Sequence, residues 1–369
     1  MRLLMTTDTV GGVWTFTSEL SAELLQRGHF ISLVSFGRTP SPHQQSWCDA
    51  NIAKFGDRFQ FTPTQMSLEW MEENSSAFVE GEPLLSSVAK QFQPDLLLTN
   101  QFCFGALSGS LPRVVVAHSD VLSWANDCKP EAATPSPWLN RYTAMVQSGL
   151  MSANAVVAPT RWMLQALKPN FFLPNGGQVI PNGRSMARSA SRGAKQLQAV
   201  TAGRLWDEAK GLDLLKQGNL PIPVLIAGET RFQDEAADLQ SAANLQFLGI
   251  LEPEQMQAAF QESAIYLCTS RYEPFGLAPL EAALCGCAII ARDLPSLREV
   301  WGDAALYFQD AASFVAQVRA LAESPAALSA AQERAFERAS LYPVSRMTDA
   351  YLSLFESVLQ RRGVVSDAA

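Results

Sequence analysis

The sequence predicts an α/β protein made of two doubly wound halves, and three observations carry that prediction. Short apolar runs bounded by turn residues alternate with stretches of helical period from the first residue onward. The runs are continuous rather than alternating, as in strands of a parallel sheet covered on both faces. The series then starts again near residue 197, and 369 residues suffice for two domains.

Residues 2–7 form the first predicted strand. Gly11-Gly12 opens a helix on which Phe16, Leu20 and Leu24 recur every four residues, and Gly28 ends it, leaving His29 as a connector. Strands follow at 30–36, 96–99, 114–117 and 155–158, giving a first domain over residues 1–178. From 179 to 196 the text becomes Ile-Pro-Asn-Gly-Arg-Ser and then small and polar residues without apolar period, which predicts a linker. A second domain over 197–343 has strands at 198–202, 224–227, 245–248, 265–268 and 288–291, with helices near 211–217, 254–262 and 276–284. After Pro343 a helix over about 345–360 lines up Met347, Tyr351, Leu354, Phe355 and Val358 on one stripe, so that 344–369 is expected to join the first domain. In this class ligands bind beyond the carboxyl ends of the strands, in the crevice that two such halves form.

The balance of 28 Lys and Arg against 36 Asp and Glu gives a net charge of −8, with 47% apolar residues, which excludes disorder and general affinity for nucleic acid or anionic membrane. No apolar run approaches the ~20 residues of a membrane span, and the first residues lack a secretory core, so a cytoplasmic chain is expected. The cysteines are scattered apart from Cys285 and Cys287, and the histidines His29, His43 and His118 lie far apart. Neither a disulfide framework nor a metal site is expected.

The richest stretch is Glu273-Pro-Phe275-Gly276-Leu277-Ala-Pro279-Leu-Glu281, which leaves a strand and enters a helix. Pro274 keeps Glu273 extended in the loop, and Pro279 fits only the first helical turn, so the helix starts at about Phe275 or Gly276. The amides of Gly276 and Leu277 are left for an anion, and Glu281 can offer a carboxylate to a vicinal diol such as a ribose. A second cluster, Gly203-Arg204-Leu-Trp-Asp-Glu-Ala-Lys210-Gly211, follows the first strand of the second half. Two cations there can stabilise a diphosphate leaving group. Gly11-Gly12-Val13 lacks the G-x-G-x-x-G spacing, and no acidic residue closes the second strand, which speaks against a dinucleotide-dependent oxidoreductase. His118, with Ser119 and Asp120 after it, ends the strand at 114–117.

The segment from Glu273 to Glu281 resembles the E-x7-E motif of retaining glycosyltransferases of the GT-B fold, family 4. The second cluster is similar to the family's G-R-L...E-K-G motif with one extra residue, Ala209. By that resemblance Glu273 holds the transferred sugar, Phe275, Gly276 and Leu277 hold sugar and phosphate, and Glu281 binds the ribose. Gly203, with Arg204 and Lys210, takes the diphosphate; Gly11 and Gly12 approach donor phosphate and acceptor; His118 contacts the sugar; and the backbone near Ile250 reads the base. The resemblance implies a nucleotide-sugar donor, no cofactor, no metal, retention of anomeric configuration, and a terminal helix crossing back to the N-terminal domain. Alternatives are a glycogen-synthase-like or other GT-B sugar-nucleotide enzyme, and a catalytically silent nucleotide-sugar binding module. Residues 54–79 combine Lys54 and Arg58 with Asp57, Glu69, Glu72 and Glu73, a net acidic set that favours a soluble hydroxylated acceptor over a lipid surface, with peripheral membrane contact as the alternative.

Overall fold

The structure, a computed structural model, describes residues 1–71, 73–186, 195–217, 219–232, 235–236 and 244–366. Two compact units divide the chain: residues 1–125, 130–183 and 344–369 form the first, and 126–129 with 184–343 the second.

In the first unit, β1 (Arg2–Asp8), α1 (Gly12–Gln26), β2 (Phe30–Phe36), α2 (Pro42–Phe55), β3 (Phe59–Thr62), α3 (Ala77–Phe92) and β4 (Leu96–Thr99) are followed by β5 (Arg113–Val116), α4 (Val121–Cys128), α5 (Pro137–Ser152), β6 (Ala155–Ala158), α6 (Arg161–Leu167) and β7 (Gln178–Val179). The strands form a parallel sheet in the order β3-β2-β1-β4-β5-β6-β7. Successive residues of β5 and the position after it serve opposite layers, as the two-residue strand period requires: Val114 and Val116 join one core, Val115 and the following Ala117 the other.

The second unit contains β8 (Gln196–Ala202), α7 (Asp213–Gln217), β9 (Val224–Ala227), the short pair β10 (Arg231–Phe232) and β11 (Glu235–Ala236), β12 (Leu245–Gly249), α8 (Pro253–Glu262) and β13 (Ser263–Cys268). It continues through α9 (Leu277–Leu284), β14 (Ala288–Arg292), α10 (Pro295–Trp301), β15 (Leu306–Phe308), α11 (Ala311–Glu323) and α12 (Pro325–Ala339). Its main sheet is also parallel, in the order β12-β9-β8-β13-β14-β15.

The last helix, α13 (Val344–Ser366), returns to the first unit. Val344, Met347, Tyr351, Leu354, Phe355 and Val358 complete the core that Phe16, Leu20 and Leu24 of α1 begin. Tyr351 meets Phe16 with ring centroids 5.8 Å apart, and Arg27 pairs with Asp349 at 2.5 Å.

Several boundaries differ from the sequence reading. Within 179–196, Val179 closes β7 and Gln196 opens β8, because each pairs with a neighbouring strand, while residues 187–194 lie outside the described residues. The helix expected over 211–217 shrinks to α7, since a 3-10 turn at Glu208–Lys210 takes up the chain before it. The terminal helix is longer than the apolar stripe, which marks only its buried face; residues 367–369 lie outside the described residues. Glu69, counted in the sequence as a surface charge, is 3% exposed. Its Oε1 accepts from the amide of Phe102 at 2.8 Å and its Oε2 from that of Cys103 at 2.7 Å, which ties it to a 3-10 turn at Phe102–Ala106. Glu72 lies outside the described residues, but with Glu69 set aside the charges of this stretch, Lys54 and Arg58 against Asp57, Glu72 and Glu73, still leave it net acidic.

Candidate functional site

In an open parallel sheet the strand order reverses at one place, and there the loops leaving two adjacent strands part to opposite faces and leave room for a ligand. In the second unit that place lies between β8 and β13. The loop after β8 carries Gly203, Arg204 and Lys210, and the loop after β13 carries Glu273 and Gly276.

Chain geometry brings the two loops together. The extra residue Ala209 is absorbed by the 3-10 turn Glu208–Lys210, which Asp207 caps by accepting from the Ala209 amide at 2.9 Å. The Ala209 carbonyl accepts from the Arg271 amide at 2.7 Å, and Thr269 Oγ1 donates to the Lys210 carbonyl at 2.7 Å. Gly211, at φ +59°, lies so close to Thr269 that an added Cβ would stand 2.5 Å from its carbonyl oxygen. Glycine is required there both by its backbone conformation and by the close approach.

Lys210 Nζ consequently donates to Glu273 Oε2 at 2.8 Å, with only 21% and 15% of the two side chains exposed. Ser270 Oγ donates to the same carboxylate oxygen at 3.3 Å, and Ser296 Oγ donates to the Glu273 carbonyl at 2.7 Å. Burial pulls the Lys210 pKa down, but the adjoining Glu273 carboxylate more than reverses this, so the ammonium stays protonated above its ordinary value. Arg204 is braced within its own loop, donating to Asp207 Oδ2 at 2.7 Å with its guanidinium 5.3 Å from the Trp206 ring; Trp206 in turn donates to Glu229 at 3.3 Å.

Helix α9 begins at Leu277 with Gly276 as its cap at φ +90°, one residue later than the latest expected start. Its Pro279 sits in the first turn, where a missing N–H costs nothing. Phe275 is 3% exposed and packs edge-on against Tyr342 at 5.6 Å, so only its backbone is available to a ligand. Ile250, just beyond β12, is 71% exposed. The strand ends on this side are knit by short backbone bonds, Gly203 N–H to Ala227 at 3.1 Å and Gly228 N–H to Gly249 at 2.7 Å.

Glu281 is held by a cation from a distant part of the chain. Its Oε1 accepts from Nε of Arg184 at 2.8 Å, both side chains being more than four-fifths buried. Burial raises the Glu281 pKa, and Arg184 opposes that rise. Arg184 and the serines at 270 and 296 went unrecognised as site residues in the sequence. The Arg184 contact spans 97 positions and that of Ser296 spans 23, whereas Ser270 lies only three residues before Glu273.

The sequence agrees with this geometry from both sides. The family described as Glycosyltransferase Family 4 matches residues 10–188, and that described as Glycosyl transferases group 1 matches residues 195–338, consecutively and over most of the chain. The chain belongs to the GT-B glycosyltransferases of the family 4 type. The glycosyltransferase is 25% identical to glycogen synthase of Mycobacterium tuberculosis over 378 aligned positions, covering 91% of this chain and 88% of that one. Its fold is similar to sucrose-phosphate synthase from Thermosynechococcus elongatus, with TM-score 0.78 at 16% identity over 98% of this chain and all of that one. It is also similar to Anabaena HepE solved with UDP-glucose, TM-score 0.69 at 16% identity over 97% of this chain and 100% of that one. WaaG, a glycosyltransferase of lipopolysaccharide biosynthesis, gives TM-score 0.71 at 14% identity over 96% and 99%.

The first unit of the glycosyltransferase has its own strand-order reversal between β1 and β4. Gly11, at φ +86°, caps α1 there, and Asn100 follows β4. The Asn100 amide donates to the Thr6 carbonyl at 2.5 Å and to Thr17 Oγ1 at 3.0 Å, which turns its Oδ1 toward His118 Nε2 at 2.7 Å. That arrangement places the imidazole proton on Nε2 and leaves Nδ1 as an acceptor. Burial lowers the His118 pKa to about 3, so the ring is neutral, and Phe16 packs edge-on against it at 4.7 Å. Among the described residues no helix is long and apolar enough to cross a membrane, and no group of three or more His, Cys, Asp or Glu is placed to hold a metal ion.

Proposed function

We propose that this glycosyltransferase moves a hexose from a nucleoside-diphosphate sugar to a hydroxyl group of a soluble acceptor, with retention at the anomeric carbon and without a divalent metal ion. The observation that carries the reading is the buried Lys210–Glu273 pair at the strand-order reversal of the second sheet, with Gly276 and the start of α9 directly after it. Glu273 holds the transferred sugar, the amides from Phe275 to Leu277 hold sugar and phosphate, Glu281 takes the ribose, and the backbone near Ile250 meets the base. In the first unit, Gly11 and Gly12 approach the donor phosphate and the acceptor, and the neutral His118 accepts a sugar hydroxyl at Nδ1.

In the step itself the acceptor oxygen attacks the anomeric carbon from the face on which the diphosphate departs. The bond from that carbon to the phosphate oxygen breaks, the phosphate keeps the electron pair, and it takes the acceptor proton. Arg204 and Lys210 stabilise the charge that grows on the diphosphate, and preorganised groups of this kind are each worth about 10²- to 10³-fold in rate. Two fixed cations also supply the neutralisation that a divalent ion gives at other diphosphate sites. A UDP-sugar is the first donor to test, supported by the HepE structures with UDP and UDP-glucose. The net acidic charge of residues 54–79 supports the soluble acceptor, and the likeness to glycogen synthase favours a glucan as a second, more specific reading of it.

The test is release of nucleoside diphosphate from UDP-, GDP- and ADP-sugars by the purified chain with a hydroxylated acceptor, with the product anomer read by NMR. Release that persists in EDTA, yields the retained anomer and falls at least 100-fold in Lys210→Met agrees with the reading. An inverted anomer, or activity lost in EDTA and restored by magnesium, overturns the corresponding part.

A further inference from the structure

The second unit carries a cation that nothing in the motif pattern requires. Arg184 opens the long segment of the second unit, 184–343, yet its side chain reaches Glu281, 97 positions later, and donates from Nε to Oε1 at 2.8 Å. The Arg184 backbone is fixed as well: its N–H donates to the Tyr342 carbonyl at 3.0 Å, and the Tyr342 ring packs edge-on against Phe275 at 5.6 Å. Tyr342 is itself held, donating to the Val300 carbonyl at 3.0 Å and accepting from Arg338 at 3.2 Å. Arg184 is thereby tied to the loop that ends at Gly276 and starts α9.

We infer that Arg184 is a positioning residue of the donor site, holding the Glu281 carboxylate ionised and turned so that its Oε2 can accept from the 2′-hydroxyl of a nucleotide ribose. This inference rests on the donor reading given above. Glu281 has 16% of its side chain exposed, and a carboxylate so enclosed stays charged only beside a fixed positive partner. Arg184 uses Oε1, and among the described residues no group donates to Oε2, so that oxygen remains available to a ligand hydroxyl. Arginine suits the task because its guanidinium cannot lose its proton and its planar geometry fixes direction as well as charge. The carboxyl's own pull toward the neutral form on burial, opposed by Arg184, agrees with this arrangement.

The measurement is ribose discrimination: the ratio of dissociation constants for a 2′-deoxynucleoside diphosphate and its ribo counterpart, by calorimetry. UDP, GDP and ADP are each compared with their 2′-deoxy forms, and the tightest binder to the wild type is used throughout. A carboxylate that reads the 2′-hydroxyl gives a wild-type ratio of about tenfold or more, the usual worth of a hydrogen bond to a charged group. Arg184→Met is expected to cut that ratio to about twofold while leaving the 2′-deoxy affinity nearly unchanged, and Arg184→Lys, which keeps a charge, to restore part of it. The unchanged 2′-deoxy affinity is the sign that the site is still folded. Full discrimination in Arg184→Met overturns the inference, and so does equal weakening of ribo and deoxy forms, which is the mark of a merely structural contact. Glu281→Gln separates the two levels: if it also keeps full discrimination, the ribose role of Glu281 is wrong and the Arg184 role falls with it. Failure of all three nucleotides to bind the wild type overturns the donor reading first.

Discussion

A lysine enclosed by protein ordinarily gives up its proton, and Lys210 escapes that because Glu273 stands 2.8 Å away. The stabilisation from this pair belongs to the charged lysine, so it is present below the unfolded pKa of 10.5 and is lost as pH rises through the raised folded value. Glu273→Gln removes the main group that opposes burial and should therefore shift the alkaline limb of the kcat profile toward neutral pH, apart from any loss in absolute rate. An alkaline limb that stays in place would show that Glu273 does not keep Lys210 charged. His118 follows the opposite sign. Its folded pKa of about 3 lies below the unfolded 6.5, so the unfolded chain binds a proton first as pH falls. Stability is then lost from pH 6.5 down toward 3, by no more than about 1.4 kcal/mol per pH unit. Urea midpoints at pH 5 and pH 7.5 should differ more for the wild type than for His118→Asn.

At the scale of elements, the strands that could be read in the sequence are the central ones, where burial on both faces leaves an uninterrupted apolar word; β2, β4 and β6 fall at the predicted residues. The edge strand β12 is still legible at 245–248, but β3 and β15 are not, because β3 is Phe-Gln-Phe-Thr with one face in contact with solvent and β15 is three residues long. Helix α2 announces its start through Ser41, Pro42 and Gln44 but buries only Cys48, so it has no apolar stripe to find. The loops at the two strand-order reversals could be read because glycines and charges cluster there, whereas the Arg184–Glu281 and Asn100–His118 contacts depend on tertiary packing alone. Glu69 belongs to the same unreadable class, and it anchors the 3-10 turn after β4. Glu69→Ala should destabilise the first unit by about 1–3 kcal/mol for each of the two amides left unpaired, measured by denaturant unfolding. A change within about 0.5 kcal/mol, the range of ordinary surface substitutions, would mean that water replaces the carboxylate at no cost.

For the whole molecule, each unit has cores on both faces of its sheet, and the first borrows one helical wall from the far end of the sequence. Phe355 is fully buried on that wall. Phe355→Ala should cost about 3–5 kcal/mol, typical of an aromatic deleted from a packed interior. The loss should appear in the fluorescence transition of Trp14, which shares the same core, and an unshifted transition would place α13 outside the cooperative unit. This threading also sets a schedule for biosynthesis. Phe16, Leu20 and Leu24 leave the ribosome early, but the residues that cover them follow only after the entire second unit has been translated. At roughly 5–20 residues per second, the nascent first unit waits on the order of ten to thirty seconds with an apolar flank open, a window in which a chaperone, not the protein's own interior, must shield it.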